Sequence, residues 1–167
     1  MSYPRDPDLS AVRASYDTVA EPYAAQFAAE LRHKPLDRAL QDCFVELVGG
    51  SPGQVVDLGC GPGQIARYLH DRGLPAYGVD LSPGMVAVAR RLHRGMTSRE
   101  GSLLALDAGD GECSGITAFY SIIHLPAEIR PVPFVSSTGC CGRVAGCCSA
   151  FTSGPRRCMP TTGGITR

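Results

Sequence analysis

An acidic residue and three alternating glycines occur together in residues 55–63, whose sequence is VVDLGCGPG. The residues before the glycines are apolar like a short buried strand, and residues 64–72 have the character of a helix. Glycine tolerates positive φ and, having no Cβ, lets a ligand lie directly against the main chain. The first N–H groups of a helix lack partners and can bind a polar group. The segment therefore predicts a cofactor-binding turn at the carboxyl end of a strand.

The spacing of the glycines distinguishes two classes of cofactor. A dinucleotide-binding turn has the pattern G-x-G-x-x-G. Counting from Gly59 and Gly61, the third glycine of that pattern would stand at Gln64, whereas the chain has it one position earlier, at Gly63. The pattern G-x-G-x-G therefore disfavours a nicotinamide-dependent dehydrogenase.

A second acid, Asp80, follows a second apolar segment, residues 76–79. Ser82 and Pro83 come directly after it and are typical of the N-cap and the first position of a helix. The carboxyl ends of parallel strands meet at one edge of a sheet, so we expect Asp57 and Asp80 to lie close together. Taken singly, an acid after a strand is also a common turn residue, and it is the joint geometry that favours a ligand site.

These residues carry a resemblance to a known family. The sequence DLGCGPG resembles the first motif of class I S-adenosylmethionine-dependent methyltransferases, and GVDLSP resembles their second. The resemblance extends over about residues 1–128 and implies S-adenosylmethionine (SAM) as the cofactor and a small molecule as the methyl acceptor. It implies that Asp80 accepts both ribose hydroxyls, with Leu81 and Met85 against the adenine. It also implies cofactor contacts from the turn, namely from Asp57, Gly59, Cys60, Gly61 and Gly63.

Weaker parts of the resemblance suggest further contacts. Ser102 stands where the family's third motif often has an acid that faces the adenine amino group, and Leu103 follows it. Phe119 stands where the fourth motif approaches the sulfonium. Tyr16 and Tyr23 belong to the N-terminal region that covers the cofactor in similar proteins. For the three aromatic residues, packing in the core is the alternative.

His124 is the candidate general base near the expected reaction site, because an imidazole can accept a proton from an acceptor at neutral pH. The alternative is a packing role at the start of a helix. Methyl transfer itself depends mainly on aligning an electron-rich acceptor with the S–CH₃ bond.

The elements that position these residues alternate between strand and helix, which predicts an α/β fold, a Rossmann-like three-layer αβα sandwich. Two short helices are expected on either side of Pro22. Residues 35–48 read as an amphipathic helix with an apolar face of Leu36, Leu40, Phe44 and Leu47. A weaker strand is predicted at residues 97–100 and a fourth strand at residues 115–121. The family's sheet has seven strands, so four predicted strands make the fold incomplete at its C-terminus and leave the fourth as an exposed edge that favours self-association.

Composition bounds the function. The chain has 16 acidic and 16 basic residues, a balance that argues against a nucleic-acid or anionic-membrane surface. No apolar run approaches membrane-spanning length, and the first ten residues carry charges of both signs rather than a signal core. We therefore expect a cytoplasmic protein.

Residues 129–167 have a different composition from residues 1–128. They contain no acidic residue, no leucine and five of the eight cysteines. We expect this tail to be irregular or disordered. Its cysteines lack the C-x-x-C spacing and the tail has no histidine, so no metal site is expected, and a metal-binding interaction protein is the minor alternative.

Adjacent cysteines suggest an origin for this tail. In GC-rich coding DNA, cysteine pairs in one frame become leucine pairs in a neighbouring frame. With permitted codons, residues 135–149 can be read there as REFHRVLRPGGWLLL, which resembles the R-P-G-G turn and fifth strand of the methyltransferase family. The hypothesis is a frameshift near residues 128–130. Its functional alternative is a SAM-binding chain without catalysis, or a non-functional product.

Overall fold

The computed structural model describes residues 8–130 and 141–150, and for the last ten it describes the backbone alone. The helices are α1 (Ser10–Phe27), α2 (Pro35–Val48), α3 (Gln64–His70) and α4 (Pro83–Leu92), with 3₁₀ turns at Glu30–His33 and Ile122–His124. The strands are β1 (Gln54–Leu58), β2 (Ala76–Asp80), β3 (Ser98–Glu100), β4 (Cys113–Phe119) and β5 (Cys141–Ala150).

The strands form one parallel sheet in the order β3-β2-β1-β4-β5. Val56 lies opposite Tyr77 on β2 and opposite Ile116 on β4, so β1 is central. Every residue of β4 is buried, as expected for a parallel strand covered on both faces. The predicted α/β, Rossmann-like class is confirmed.

Successive residues of β1 point to opposite faces of the sheet and enter different clusters of apolar side chains. Val55 packs with Phe44 and Val48 of α2 and Leu69 of α3. On the other face, Val56 packs among side chains of β2 and β4 and the segments that flank β4, in a cluster that includes Leu104, Leu125 and Ile129. The two clusters hold the carboxyl ends of the strands at one edge.

The strand β5 corrects the expectation of an irregular tail. It pairs in parallel with β4, from Gly115 opposite Gly146 to Phe119 opposite Ala150. The prediction of irregular structure is therefore wrong for residues 141–150, and β4 is not an edge of the sheet. The physical reason is that strand pairing uses main-chain groups, and glycine, alanine, valine and cysteine are small enough for a crowded parallel sheet. The rest of the predicted tail, including Cys140 and Cys158, lies outside the described residues.

Helix α1 is continuous, although two helices were expected around Pro22. A proline removes one N–H donor but its fixed φ is compatible with a helix. Ala20 before Pro22 and Ala24 after it both pack against α4, in a cluster with Met85 and Val88. This packing spans the proline and holds both halves in line. In the part of the chain that the structure describes, no helix combines the length and apolar character needed to cross a membrane.

Helix α2 buries Phe44 as predicted, but the rest of its buried face differs from the predicted one. Its buried residues are Asp37, Gln41, Phe44 and Val48, whereas Leu36 is 71% and Leu47 67% exposed. A polar contact on the inner side accounts for this face, since the buried Asp37 accepts a hydrogen bond from the Tyr120 hydroxyl. The apolar period alone therefore predicted the helix but not its orientation.

Candidate functional site

A cleft of about 260 Å³ lies at the carboxyl ends of β1, β2 and β4, and α1 borders it on the other side. The position is the one at which open α/β sheets bind ligands. Eleven residues predicted from the sequence line it, namely Tyr16, Tyr23, Asp57, Gly59, Cys60, Gly61, Asp80, Leu81, Leu103, Phe119 and His124. The chain thus brings residues from positions 16 to 124 to a single cleft.

The glycine turn is shaped by close contact with the segment after β4. Gly59 has φ +72°, and a Cβ at this position would lie 2.2 Å from the Cβ of Ser121. Both the backbone conformation and the lack of space therefore require glycine here. Gly63 also has positive φ, but a Cβ there would meet His93 and Ala89 of the α4 region rather than the cleft. Gly63 thus serves the packing of α3 against its neighbour.

Asp57 is fully buried beneath the turn. Its carboxyl group accepts hydrogen bonds from the Thr117 hydroxyl at 2.8 Å and from the Ala66 N–H at 3.2 Å. Burial raises the pKa of Asp57 to about 7, and these hydrogen bonds only partly oppose the shift. The side chain ties β1 to β4 and to the first turn of α3, so it fixes the turn rather than presenting a free charge.

Asp80 joins the glycine turn to the turn after β2. Its Oδ2 accepts the Gly61 N–H at 2.8 Å and its Oδ1 accepts the Ser82 N–H at 2.9 Å. Burial raises the pKa of Asp80, and the two N–H donors oppose that shift. Each carboxylate oxygen has a further lone pair available to a ligand hydroxyl.

A tyrosine and a histidine meet at the opposite wall. The Tyr16 hydroxyl lies 2.6 Å from Nε2 of His124, and the two rings are edge to face with centroids 5.3 Å apart. The ring of Tyr23 packs against the ring of Tyr16, with the two centroids 5.9 Å apart. Burial raises the pKa of Tyr16, and it raises the pKa of Tyr23 to about 12, so both phenols keep their protons at neutral pH. The pair places a proton donor and acceptor at the cleft.

Three residues of the predicted set, Gly63, Met85 and Ser102, lie outside the cleft lining. Met85 is 1% exposed and packs under α1 with Ala20 and Ala24. Ser102 accepts the Leu104 N–H at 3.1 Å with its own hydroxyl. Cys60 does line the cleft, but its sulfur packs so closely over Gly78 that a Cβ there would lie 2.6 Å away. Burial raises the pKa of the Cys60 thiol well above its ordinary value.

A charged group in the cleft was not predicted. Lys34 Nζ lies 2.7 Å from Glu30 Oε2, and the other oxygen of Glu30 accepts a hydrogen bond from Gln64 Nε2 at 3.1 Å. Lys34 also lies over the ring of Tyr120, 4.6 Å from its centroid. Partial burial opposes the charge of Lys34, but the hydrogen bond with Glu30 raises its pKa. In the sequence, Glu30 and Lys34 look like an ordinary surface pair at i and i+4.

Tyr120 stands out for its backbone. Among the non-glycine residues that the structure describes, it alone has positive φ, at 58°. Such a conformation is uncommon for a bulky residue and is held here by the bond from its hydroxyl to Asp37 at 3.0 Å. No sequence pattern signals this conformation, because it depends on contact with α2, 83 positions earlier.

The described residues contain no candidate metal centre. Within them, no group of three or more histidine, cysteine, aspartate or glutamate side chains could hold an ion. The side chains of the tail cysteines lie outside the described part.

Comparisons with known proteins find methyltransferases. A family model described as "Methyltransferase domain" matches residues 55–133. The chain is 36% identical to malonyl-[acyl-carrier protein] O-methyltransferase of Enterobacter lignolyticus over 85 residues, which are 50% of this chain and 31% of that protein. It is 38% identical to trans-aconitate 2-methyltransferase of Methylobacterium nodulans over 72 residues, 42% of this chain and 28% of that protein. The chain thus spans less than a third of these relatives.

Solved structures share the fold. Magnesium protoporphyrin IX methyltransferase from Synechocystis, with bound S-adenosylhomocysteine, superposes with a TM-score of 0.60 at 22% identity, over 78% of this chain and 66% of that one. The PH0226 protein from Pyrococcus horikoshii superposes with a TM-score of 0.57 at 22% identity, over 65% of this chain and 53% of that one.

Proposed function

We propose that this chain is a class I S-adenosylmethionine-dependent methyltransferase, in line with the methyltransferase domain model that matches residues 55–133, and that it binds SAM in the cleft and transfers the methyl group to a small molecule. The observation that carries the proposal is the placement of Asp80, whose carboxylate borders the cleft and is held in place by the N–H groups of Gly61 and Ser82. A fixed carboxylate with spare lone pairs suits a pair of ribose hydroxyls.

The two ends of the cleft suit the two ends of SAM. Beside Asp80, Leu81 and Leu103 provide apolar walls for the adenine. Beside the glycine turn, the Glu30–Lys34 pair offers a carboxylate and an ammonium, which complement the α-ammonium and α-carboxylate of an amino acid. Gln64 Oε1 is buried there and has no hydrogen-bond partner among the described residues. An acceptor without a partner favours a ligand donor at this end.

SAM, when bound, supplies a methyl group on a sulfonium that an electron-rich acceptor attacks as the S–CH₃ bond breaks. In our proposal His124 removes a proton from the acceptor, and Tyr16 holds the imidazole in place through its hydroxyl. Tyr120 and Phe119 restrict where the acceptor lies, since both line the cleft at the end of β4.

We propose a small-molecule acceptor and a cytoplasmic location. Two relatives are named for methyl transfer to malonyl-[acyl-carrier protein] and to trans-aconitate, which supports a small molecule or a small acyl group as the acceptor. The balanced charge of the chain supports a cytoplasmic protein that acts without nucleic acid or a membrane surface.

We also propose that the chain is read in a neighbouring frame from about residue 129 onward. The support is that strand β5 lies at the positions where the neighbouring frame would encode an apolar strand. The residues that pair with β4 from Gly146 onward are the ones that the neighbouring frame would encode as Trp-Leu-Leu-Leu, an apolar strand. A strand thus lies where the family resemblance expects one, although the present residues lack the expected side chains.

Isothermal titration of SAM into the purified chain tests the cofactor assignment. We expect saturable binding that Asp80→Ala weakens by on the order of a hundredfold, because the variant loses charge-assisted hydrogen bonds. Asp71→Ala is the matched control, since Asp71 is an exposed acid paired with Arg67 outside the cleft. Circular dichroism confirms that each sample is folded. Equal affinity in Asp80→Ala and wild type would refute the assignment.

A further inference from the structure

The inner side of α1 carries an acid that the proposed reaction does not use. Oδ1 of Asp17 accepts a hydrogen bond from the Ser82 hydroxyl at 2.5 Å and another from the Gly84 N–H at 2.9 Å. Ser82 is the N-cap of α4, and its oxygen accepts the Met85 N–H at 3.0 Å. The first N–H groups of a helix lack partners and favour negative charge. Asp17 therefore extends the cap of α4 from a different helix.

The contact between α1 and α4 is built around this acid. A Cβ added to Gly84 would lie 3.1 Å from Oδ1 of Asp17, 3.2 Å from its Cα and 3.3 Å from the Cβ of Ala20. These distances are at or below ordinary van der Waals contact, so any larger residue at 84 would push α1 away. The fit of α1 against α4 depends on both the carboxylate and the glycine.

Besides the apolar packing of Ala20 and Ala24 on α4, two ion pairs join α1 to the body. Arg91 pairs with Glu21, and Arg13 pairs with Glu100, but all four side chains are largely exposed. Water screens exposed pairs, so they hold a helix poorly. The two hydrogen bonds to Asp17 lower the pKa of its carboxyl, so the acid is ionised at neutral pH.

Hydrogen bonds connect the cofactor loop to Asp17, and the backbone of α1 connects Asp17 to the residue that contacts His124. Asp80 accepts from Gly61 and from the Ser82 N–H, and the Ser82 hydroxyl donates to Asp17. The residue before Asp17 is Tyr16, whose hydroxyl is bonded to His124. The helix segment that Asp17 fixes therefore also places the phenol beside the imidazole.

We propose that Asp17 is a positioning residue that latches α1 over the cleft and thereby holds Tyr16 against His124. This inference rests on the proposed function for its catalytic meaning, while the latch itself is a property of the fold. Release of the Asp17 contact allows α1 to move away from α4, and the cleft then opens for exchange of SAM and its product.

Three variants of the full chain test the latch. Asp17→Asn weakens the acceptor, and Gly84→Ala displaces it while removing no hydrogen-bonding group. Glu21→Gln is the control, since it breaks the exposed tie between the same two helices. The readouts are amide hydrogen exchange in α1, the imidazole NMR signals of His124 and the dissociation constant for SAM.

We expect both latch variants to speed exchange in α1 about tenfold, to shift the His124 signals and to weaken SAM binding about tenfold, since a charge-assisted bond is lost or strained. The control stays within about twofold of wild type. Gly84→Ala is informative because alanine has a higher helix propensity than glycine, so the substitution does not weaken α4 itself. A variant that unfolds no more easily in urea and yet loosens α1 cannot owe its effect to unfolding.

Unchanged exchange and unchanged His124 signals in Gly84→Ala would overturn the latch, even where Asp17→Asn fails to fold. A wild-type chain that binds no SAM refutes the proposed function instead, and the exchange and NMR readouts then still decide on the latch. The double variant provides a last check. If both changes release one contact, their effects on exchange are less than additive, and full additivity contradicts a shared latch.

Discussion

At the scale of single residues, Asp57 has the most consequential environment. The carboxyl group is fully buried between β1, β4 and α3, and burial raises its pKa to about 7. A group whose folded-state pKa is raised binds its proton more tightly in the folded state. Its stabilising effect is therefore complete below the ordinary value of 3.8 and is lost as the pH rises toward 7.

Asp57→Asn tests this environment. The substitution keeps the shape of the side chain and removes its titration. The free energy of unfolding of the wild type falls between pH 5 and pH 7.5, and we expect this fall to be about 2 kcal/mol smaller in the variant. Urea unfolding at the two pH values measures the slope. The same slope in wild type and variant would show that Asp57 does not titrate in this range.

The sequence was most informative where a residue's role depends on its neighbours in the chain. Asp57, Gly59 and Asp80 were predicted from strand–turn–helix context, and all three line the cleft. Glu30 and Asp17 were not predicted, because their partners are Gln64, 34 positions away, and Ser82, 65 positions away. Contacts over such separations depend on how helices pack, and no local pattern records them.

At the scale of elements, the strand–helix–strand–helix order from β1 to α4 was predicted and found, since apolar period and capping residues act locally. Which face a helix buries, and whether α1 continues through Pro22, were harder to predict from the sequence. Helix α2 turns Leu36 and Leu47 outward, and the buried Asp37 makes its contact with Tyr120 on the inner side. Strand β5 was missed because its residues lack the large apolar side chains typical of a buried strand.

Pro22 gives a prediction at this scale. Within α1 it has no N–H to donate to the turn before it, a defect that packing on α4 overcomes. We expect Pro22→Ala to raise the free energy of unfolding by about 2 kcal/mol, and Pro22→Gly to raise it less, because glycine restores the N–H but disfavours the helix. Urea unfolding ranks the three proteins. A less stable alanine variant would mean that the proline ring itself stabilises α1.

At the scale of the whole molecule, the two parts of the chain differ in what they contribute. Residues 55–133 match the methyltransferase domain model, and the strands β1, β2 and β4 within them border the cleft. The described strand beyond them pairs with β4 through its backbone, at positions poor in large side chains. We propose a changed reading frame as the origin of this difference, so the prediction concerns the gene as well as the protein.

The frame-restored protein is expected to unfold at a higher urea concentration than the present chain. Positions 147 and 148, which lie opposite Ile116 and Thr117, would become leucines that bury more apolar surface. Unfolding of both proteins, together with sequencing of the locus in independent isolates, tests this. An intact present frame in all isolates, or no gain in stability, contradicts the hypothesis.

The packing of Cys60 inside the turn also determines how the folded chain meets electrophiles. A thiol reacts as its thiolate, and burial at 4% exposure raises the pKa of the Cys60 thiol well above its ordinary value. Cys113 is buried as well, whereas Cys43 on α2 is exposed. Of Cys43, Cys60 and Cys113, alkylating or oxidising reagents therefore reach Cys43 first. Modification of Cys60 would in turn report that the glycine turn has opened.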